Sequence, residues 1–277
     1  MEKLVFAKSW EEFFAEAGLG SFNDFYDYAG GTKIGENERR NVYRLTFGEG
    51  DNAKVFYIKR FHNSHLKDMV AAWCNFGRPA SQAQVEWGNA NLLLENGIDT
   101  YKPVCMGERT ICRIERKSFV ITEQLESTCL LDFVIEKWHR LQRETRDRII
   151  IAMAQLARRA HQANISLQDL YIWHIFIYED SLENDCRLSV IDLHRMLRNV
   201  KDPGKKIANM AALYWSLSSD YFDERDKDLL VGTYAGDGWA GDKENILGSI
   251  GKRAAILDNR RILWHHYEKA NRGLGLD

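Results

Sequence analysis

The pattern of hydrophobic and polar positions changes about halfway along the chain. In the first part, short runs of β-branched and aromatic residues are separated by turn residues, which is typical of antiparallel strands. From Trp138 onward, apolar residues recur at helical spacing. Strands followed by helices predict an α+β protein with two lobes, an N-lobe of residues 1–124 and a C-lobe of residues 125–277. The predicted strands, members of an antiparallel sheet of about five, are 40–47, 54–61, 98–107 and 118–122.

Helix signals are clearest at residues 82–95, which follow Ser81 and precede Asn96-Gly97. A second helix is predicted at 146–163, with Thr145 as its cap and an apolar stripe facing inward. The remaining predicted helices are 10–17 (capped by Ser9), 204–219, 224–234 and 243–271.

Two segments near the N-terminus are predicted as turns, the aromatic segment 22–28 and the glycine-rich segment 30–35. In a turn between strands, glycines such as Gly35 let backbone N–H groups approach phosphates. The segment matches neither the P-loop nor the GxGxxG pattern, so an ordinary turn is the alternative.

A lysine and a glutamate in this first part are predicted to pair. Lys59 lies in a strand whose neighbours are apolar on both faces, and a buried ammonium group needs an anionic partner. Glu86 falls on the inward edge of the predicted helix 82–95. A strand lysine paired with a helix glutamate positions the ATP phosphates in a protein kinase. The alternatives are an edge strand with Lys59 in solvent and a solvated Glu86.

Two aspartates flank a predicted hairpin in the second part of the chain. Asp169 precedes the aromatic and β-branched run 171–178, Asp192 closes the run 188–191, and acidic turn residues lie between the runs. Because the two ends of a hairpin lie together, both carboxylates are expected to face one cleft. Phosphoryl transfer needs such a pair, one to accept the hydroxyl proton and one to hold Mg²⁺. The alternative is that both are ordinary loop aspartates.

Composition restricts the class of protein. The chain has 277 residues, 45% of them hydrophobic, with a net charge of −2, which predicts a soluble globular protein and argues against a general nucleic-acid binder. The five cysteines form no CxxC pair, which favours a reduced compartment without structural zinc. No segment has the pattern of a signal peptide or the roughly 18 apolar residues of a membrane span. The expected location is cytoplasmic.

Four segments together resemble the lipopolysaccharide core kinases of Gram-negative bacteria, which phosphorylate heptose or Kdo sugars and have a protein-kinase-like fold of two lobes. The resemblance covers roughly residues 38–235. It is also seen in the helical segment 211–214. The four segments are Tyr57-Ile58-Lys59, Gln84-Val85-Glu86-Trp87, a D-x-Y-x-x-H-F-like loop that begins at Asp169, and the I-D-L-H-R motif of residues 191–195.

The resemblance implies ATP and Mg²⁺ as cofactors and assigns roles to single residues. Asp169 would be the base that deprotonates the sugar hydroxyl, and Asp192 would bind Mg²⁺. His174 takes the position where protein kinases carry a metal-binding asparagine, so it would bind the metal or hydrogen-bond near it, with a packed core histidine as the alternative. His194 and Arg195 would contact substrate phosphate or brace the loop.

The resemblance also implies a nucleotide side in the N-lobe. Lys59 and Glu86 would position the phosphates, and Gly35 would lie near them. The segment that begins at Glu123 and includes Leu125 would be the hinge between lobes, whose backbone groups bind adenine.

The chain departs from the family pattern directly before the predicted base. Leu167-Gln168-Asp169 stands where the family usually has His-Arg-Asp. The missing histidine normally braces the loop backbone, and the missing arginine provides a cation near the base. Two other functions therefore remain open, a pseudokinase that binds nucleotide without turnover and an aminoglycoside-type small-molecule phosphotransferase.

The expected partner is a lipid-linked core oligosaccharide. A basic amphipathic C-terminal helix is consistent with contact to an anionic membrane, and hence with peripheral attachment to the cytoplasmic face of the inner membrane, although a solvated face is the alternative. Three tryptophans expected to be exposed, Trp138, Trp215 and Trp239, are candidates for stacking on sugars or for core packing. The sequence does not predict the oligomeric state. The basic residues of the predicted C-terminal helix are Lys252, Arg253, Arg260, Arg261, Lys269 and Arg272.

Overall fold

The structure is a computed structural model that describes residues 1–36, 38–62, 66–112, 114–236, 243–258 and 262–274. The chain divides into two compact units. Unit 1 comprises Met1–Glu95 and Thr100–Leu125, and unit 2 comprises Asn96–Asp99 and Glu126–Asp277.

The described residues form ten strands and ten α-helices. The strands are β1 (Glu2–Phe6), β2 (Gly31–Glu36), β3 (Arg40–Phe47), β4 (Lys54–His62), β5 (Asp99–Thr100), β6 (Pro103–Ile111), β7 (Ile114–Glu123), β8 (Thr128–Cys129), β9 (Ile175–Ile177) and β10 (Leu188–Val190). The helices are α1 (Trp10–Glu16), α2 (Phe22–Tyr26), α3 (Leu66–Phe76), α4 (Gln82–Glu95), α5 (Leu130–Lys137), α6 (Arg143–Gln162), α7 (Pro203–Ser216), α8 (Glu224–Ala235), α9 (Lys243–Asp258) and α10 (Ile262–Gly273).

Unit 1 is built on an antiparallel sheet of six strands in the order β1-β6-β7-β4-β3-β2. One face of the sheet packs against an aromatic cluster that includes Phe14, Phe25 and Phe119. The other face packs against α4, where Ala83 belongs to the same buried cluster as Phe61 and Val120 of the sheet. Because side chains alternate along a strand, the residues of β4 that face α4 include the odd-numbered Lys59. The sheet therefore directs Lys59 toward α4.

Three predictions for the N-terminal part of unit 1, the two turns and the Ser9 cap, are wrong. The glycine-rich segment is the strand β2 and not a turn: a Cβ at Gly31 would lie 2.6 Å from Leu45 Cδ2, so this glycine allows close approach of β3. The aromatic segment is the helix α2, which Ser21 caps by accepting from the Asp24 N–H. Ser9 precedes α1 but has a φ of 77° and makes no capping hydrogen bond.

The sequence patterns also missed β1 and α3, and the sheet has one strand more than expected. β1 pairs with β6, as in Glu2↔Arg109, so its partner lies far away in the sequence. A five-residue segment with a distant partner carries a weak local signal.

In unit 2 the long helix α6 buries the apolar stripe that the sequence predicted, including Ile149, Met153 and Leu156. It begins at Arg143 rather than Arg146, and Thr145 is not its cap but accepts a hydrogen bond from the Arg148 guanidinium.

The C-terminal stretch 243–271 contains two helices, α9 and α10, instead of the single predicted one. The predicted basic residues Arg260 and Arg261 lie outside the described residues.

Two of the three tryptophans expected to be exposed are buried. Trp138 is 0% exposed and packs on Phe222, and Trp215 is 8% exposed. Neither is available to stack on a sugar, and core packing explains both. Trp239 lies outside the described residues.

The predicted hairpin in unit 2 is confirmed. β9 pairs antiparallel with β10, with Ile177 opposite Leu188 and Ile175 opposite Val190. The strands are shorter than the two apolar runs, because Ile172–His174 forms a 3-10 turn before β9. This turn lies between Asp169 and the first strand of the hairpin.

Among the helices described for this chain, none combines the length and the apolar character that crossing a membrane requires.

Candidate active site

The predicted ion pair of unit 1 is present. Lys59 Nζ lies 3.1 Å from Glu86 Oε1 and 3.0 Å from Oε2, so the ammonium group contacts both carboxylate oxygens. The Glu86 side chain is 0% exposed and that of Lys59 is 20% exposed. The pair is therefore largely removed from water, where its electrostatic attraction is strong but its desolvation is costly.

The position of β4 explains why Lys59 is held in this way. Lys59 lies opposite Val42 of β3 and Val120 of β7, so β4 is an internal strand and the edge-strand alternative is wrong. Tyr101, which the sequence did not single out, donates its hydroxyl hydrogen to Glu86 Oε2. Its ring centroid also lies 5.4 Å from Lys59 Nζ. Glu86 is thus fixed by two partners.

The N-terminus of α4 is attached to the sheet by side-chain oxygens that accept from its free backbone N–H groups. Glu115 accepts from the Gln82 N–H at 3.0 Å, and Ser118 accepts from the Ala83 N–H at 3.3 Å. Ser81 caps the helix by accepting from the Gln84 N–H at 3.2 Å. A carboxylate at this end also complements the helix dipole. These contacts set the position of α4, and with it that of Glu86.

The predicted phosphate-side glycine lies at the same register as Lys59. Gly35 of β2 is opposite Val42, and Val42 is opposite Lys59. With neighbouring strands about 4.8 Å apart, Gly35 and Lys59 are roughly 10 Å apart across the sheet. A Cβ at Gly35 would be no closer than 3.9 Å to Val42, so the backbone itself does not require glycine at this position.

The predicted hinge residues lie at the end of β7. Glu123 is opposite Phe56, and its N–H donates to the Lys102 carbonyl at 2.9 Å. The Gln124 N–H donates to the Val55 carbonyl at 3.0 Å. Leu125 follows as a partly exposed residue at the end of unit 1.

In unit 2 a histidine lies between the predicted base, Asp169, and the predicted metal ligand, Asp192. His174 Nδ1 lies 2.8 Å from the backbone carbonyl oxygen of Asp169. His174 Nε2 lies 3.7 Å from Asp192 Oδ2. A carbonyl oxygen only accepts, so Nδ1 donates and Nε2 of the neutral ring carries a lone pair. A lone pair that faces a carboxylate oxygen 3.7 Å away gives two donor atoms that a cation could bind. Both ring nitrogens of His174 thus have polar neighbours, and the side chain is 20% exposed.

Asp192 is held in an uncommon backbone conformation. Its φ is 62°, in the left-handed region that aspartate tolerates better than most residues. The turn that follows, Leu193–Arg195, places His194 Nδ1 2.7 Å from Asp192 Oδ1, where the ring donates to the carboxylate. One oxygen of Asp192 is thereby bound to His194, while the other faces His174.

Arg195 contacts the predicted base directly. Its Nη1 donates to Asp169 Oδ1 at 2.7 Å, and the Asp169 side chain is only 11% exposed. Between its two predicted roles, bracing the loop is the one that this geometry favours. Arg195 also places a cation beside Asp169, and His174 bonds the loop backbone at Asp169. Bracing of the loop backbone and a cation near the base, which the missing His-Arg pair would supply, are thus provided by His174 and Arg195.

Hydrogen bonds to distant segments anchor the backbone on both sides of Asp169. Ser166 and Leu197 form a two-hydrogen-bond bridge, each N–H to the other carbonyl at 2.9 Å. The Ile172 N–H donates to Ser216 Oγ at 3.0 Å.

At the end of α6, His161 contacts the Tyr234 hydroxyl at 2.7 Å. Its other ring nitrogen donates to Asn209 Oδ1 at 3.1 Å.

Because His161 is buried, we expect the free energy of unfolding to depend on pH. Burial lowers its pKa from 6.5 to about 4, so below pH 6.5 the unfolded chain binds a proton that the folded chain does not. Stability is therefore lost as the pH falls from about 6.5 to about 4, by at most about 1.4 kcal/mol per pH unit. Urea unfolding of His161→Gln at pH 7, 6 and 5 should show a shallower pH dependence than wild type. The exposed His139→Gln should retain the wild-type slope; equal slopes for all three proteins would contradict the prediction.

Comparison with known proteins identifies the relatives of this chain. The model of the lipopolysaccharide kinase (Kdo/WaaP) family matches residues 30–234. The lipopolysaccharide core heptose(I) kinase WaaP of Escherichia coli (strain K12) is 29% identical over 206 residues, 73% of this chain and 76% of the relative. WaaP of Pseudomonas aeruginosa (strain PAO1) is 32% identical over 165 residues, 56% of this chain and 60% of the relative.

A solved structure shares the fold. It is described as WaaP in complex with acyl carrier protein and superposes with a TM-score of 0.68 at 24% identity, covering 97% of this chain and 99% of that one. The predicted α+β, protein-kinase-like fold is thereby confirmed. Since the family model matches most of the chain, the predicted resemblance is confirmed as well, and this protein belongs to the lipopolysaccharide kinase (Kdo/WaaP) family.

Proposed function

We propose that this protein transfers the γ-phosphate of ATP to a sugar hydroxyl of the lipopolysaccharide core. The observation that carries the proposal is the arrangement Asp169–His174–Asp192, in which one histidine lies between the backbone carbonyl of Asp169 and the carboxylate of Asp192 at the two ends of a hairpin. The relatives are named heptose(I) kinases, which favours heptose over Kdo as the acceptor. The acceptor would be a lipid-linked core oligosaccharide.

In this proposal Asp169 is the general base. Its carboxylate accepts the proton of the sugar hydroxyl as the oxygen attacks the γ-phosphorus, and the bond from that phosphorus to the bridging oxygen breaks to release ADP. Arg195 leaves one carboxylate oxygen free, because only Oδ1 is bound to its guanidinium. The His174 bond to the Asp169 carbonyl keeps the loop backbone in place while the proton moves.

Asp192 and His174 are the proposed metal ligands. The donor set fits, because Mg²⁺ in nucleotide sites is commonly held by one or two carboxylates together with substrate phosphates. Asp192 Oδ2 is the oxygen that faces His174 Nε2, while Oδ1 is held by His194. When bound, Mg²⁺ supplies positive charge to the phosphate oxygens.

The proposed nucleotide contacts lie in unit 1. Lys59, oriented by Glu86, would contact the phosphates as a point charge, and the backbone at Gly35 would approach them. Backbone groups of Glu123 and Leu125 would bind adenine.

The protein is further proposed to act at the cytoplasmic face of the inner membrane without spanning it. On α10, Trp264 is 69% exposed and Lys269 and Arg272 are exposed. An aromatic side chain with nearby basic residues suits the interface of an anionic membrane.

Transfer of ³²P from ATP to purified core oligosaccharide, with and without Mg²⁺, tests the proposal. We expect Mg²⁺-dependent labelling of heptose in wild type and a loss of about 10²–10⁴-fold in Asp192→Asn, since the amide removes the negative charge that binds the metal. Asp185→Asn, an exposed residue of the same hairpin, should label like wild type.

Other outcomes point to other functions. Labelling of soluble aminoglycosides but not of core would indicate a small-molecule phosphotransferase. Binding of ATP without transfer to any acceptor would indicate a pseudokinase. Labelling by Asp192→Asn at the wild-type rate would contradict the metal role of Asp192.

A further inference from the structure

The C-terminal helix α10 contacts the catalytic loop through two consecutive residues. The first is His266, whose ring stacks on the indole of Trp173 with centroids 3.9 Å apart and planes 7° from parallel. Tyr171 stacks on the same indole at 4.7 Å and 13°. Trp173 directly precedes His174, so the stack reaches the residue that links Asp169 and Asp192.

The second contact is made by Tyr267, which is 7% exposed. Its hydroxyl donates to the Ser216 carbonyl at 3.0 Å and accepts from the Ser218 N–H at 3.2 Å. Ser216 Oγ in turn accepts from the Ile172 N–H of the catalytic loop at 3.0 Å and donates to the Leu213 carbonyl at 2.7 Å. Tyr267 therefore fixes the end of α7 that holds the loop.

The loop depends on such contacts because it has little regular structure of its own. Between Asp169 and His174 the backbone bonds are Tyr171 N–H to Asp169 and His174 N–H to Tyr171, both at 2.9 Å. Trp173 is only partly buried and lines an open cleft of about 330 Å³ together with His266 and Lys269. A partly buried indole that loses His266, one of its two stacked partners, would have more rotational freedom.

The charge state of His266 suits a stacking role. Burial, with the nearby ammonium group of Lys269 adding to the effect, lowers its pKa to about 4, so the ring is neutral at neutral pH. A neutral ring packs face to face on the indole without the cost of burying a charge.

We propose that His266 and Tyr267 are positioning residues that hold the catalytic loop in its working geometry, so that α10 is part of the frame of the active site. The helix lies beyond residues 30–234, which the family model matches. The inference rests on the function proposed above for Asp169 and His174. Loss of the stack would let Trp173 and His174 rotate, and a displacement of about 1 Å at reacting groups can cost about 10²-fold in rate.

The test compares four full-length variants with wild type. His266→Ala removes the stack, His266→Phe keeps a flat ring without the imidazole nitrogens, Tyr267→Phe removes only the hydroxyl, and His265→Ala is the exposed neighbour on the same helix. Two quantities are measured well below the unfolding temperature, amide hydrogen exchange of residues 169–176 and kcat per nucleotide-binding site with KM for ATP. Counting binding sites removes the contribution of any unfolded fraction.

We expect His266→Ala to speed exchange in the loop and to lower kcat by about 10-fold to 10²-fold. KM for ATP should stay within about twofold, because the direct protein contacts to ATP are proposed to lie in unit 1, and unit 2 is proposed to contact the phosphates through Mg²⁺. Tyr267→Phe should follow in the same direction. His266→Phe should recover most of the rate, and His265→Ala should match wild type.

Either of two results would overturn the proposal: unchanged loop exchange in His266→Ala, or faster exchange with unchanged kcat, which would make the contact merely structural. If wild type transfers phosphate to no acceptor, the proposed function fails instead. The exchange comparison then decides by itself whether α10 holds the loop.

Discussion

Replacing Asp169 with asparagine is expected to lower phosphoryl transfer by about 10²–10⁴-fold while nucleotide affinity stays unchanged. The asparagine amide cannot accept the hydroxyl proton, but its Oδ1 can still accept the hydrogen bond from Arg195 Nη1. The loop should therefore keep its geometry, and the loss should appear in kcat. Steady-state transfer from ATP to core oligosaccharide, with ATP affinity measured separately, checks the expectation.

The control for this variant is Asp180→Asn, an exposed carboxylate in the turn of the same hairpin, which should transfer at the wild-type rate. Arg195→Lys offers a second comparison. It keeps a cation near Asp169 but loses the planar guanidinium, so a moderate loss between wild type and Asp169→Asn is consistent with loop bracing. An Asp169→Asn variant that retains more than about a tenth of the wild-type kcat would remove Asp169 from the role of base.

Replacing Lys59 with methionine is expected to destabilise the protein by about 3 kcal/mol and to weaken nucleotide binding at the same time. The change leaves the carboxylate of Glu86, which is 0% exposed, with Tyr101 but without its cation. Removing one partner of a buried pair usually costs about 3–5 kcal/mol, and the remaining bond from Tyr101 places this case at the lower end. Urea unfolding and titration with a fluorescent ATP analogue measure the two effects.

A triple variant separates stability from function. Lys59→Met combined with Glu86→Leu and Tyr101→Phe replaces the whole polar cluster by apolar side chains of similar size, which is often neutral for stability. We expect the free energy of unfolding to recover to within about 1 kcal/mol of wild type while nucleotide binding remains weak. Lys54→Met, an exposed lysine on the same strand β4, should bind nucleotide normally. Wild-type nucleotide affinity in Lys59→Met would contradict the proposed phosphate contact.

The departure from the family pattern at Leu167-Gln168 bears on how the loop is assembled. Leu167 and Gln168 lack the groups that would brace the loop and place a cation near the base. Two side chains from later in the chain contact Asp169 instead. His174 does so at the backbone carbonyl and Arg195 at the carboxylate. The absence of a local His-Arg pair is therefore compatible with an ordered loop, and it is a poor reason to prefer the pseudokinase alternative.

The elements that could be predicted from the sequence are those whose signals are local. The bounds of α4 match the prediction of 82–95, because Ser81 caps its start and Gly97, with a φ of 67°, follows its end. The hairpin β9–β10 follows from two apolar runs separated by polar turn residues. The pairing of Lys59 with Glu86 was also predicted from the sequence, since a buried charge needs a counter-charge and Glu86 falls on the inward edge of the predicted helix.

Other features depended on residues far apart in the chain. β1 pairs with β6 across more than a hundred residues, and Gly31 is explained only by the nearness of Leu45. The burial of Trp138 depends on Phe222. A local pattern indicates that a side chain is apolar or small, but only the packed fold decides which surface will cover it.

The candidate site divides in the same way. The candidates for the chemistry could be chosen from the sequence, because carboxylates, a lysine and a histidine at these positions are recognisable as types and spacings. The tertiary structure decided how they are oriented: which nitrogen of His174 faces Asp192, that Arg195 contacts Asp169, and that His266 of α10 stacks beside the loop. Hydrogen bonds and ring stacking depend on distances of a few ångströms and on direction, and the chain acquires both only when its distant segments pack together.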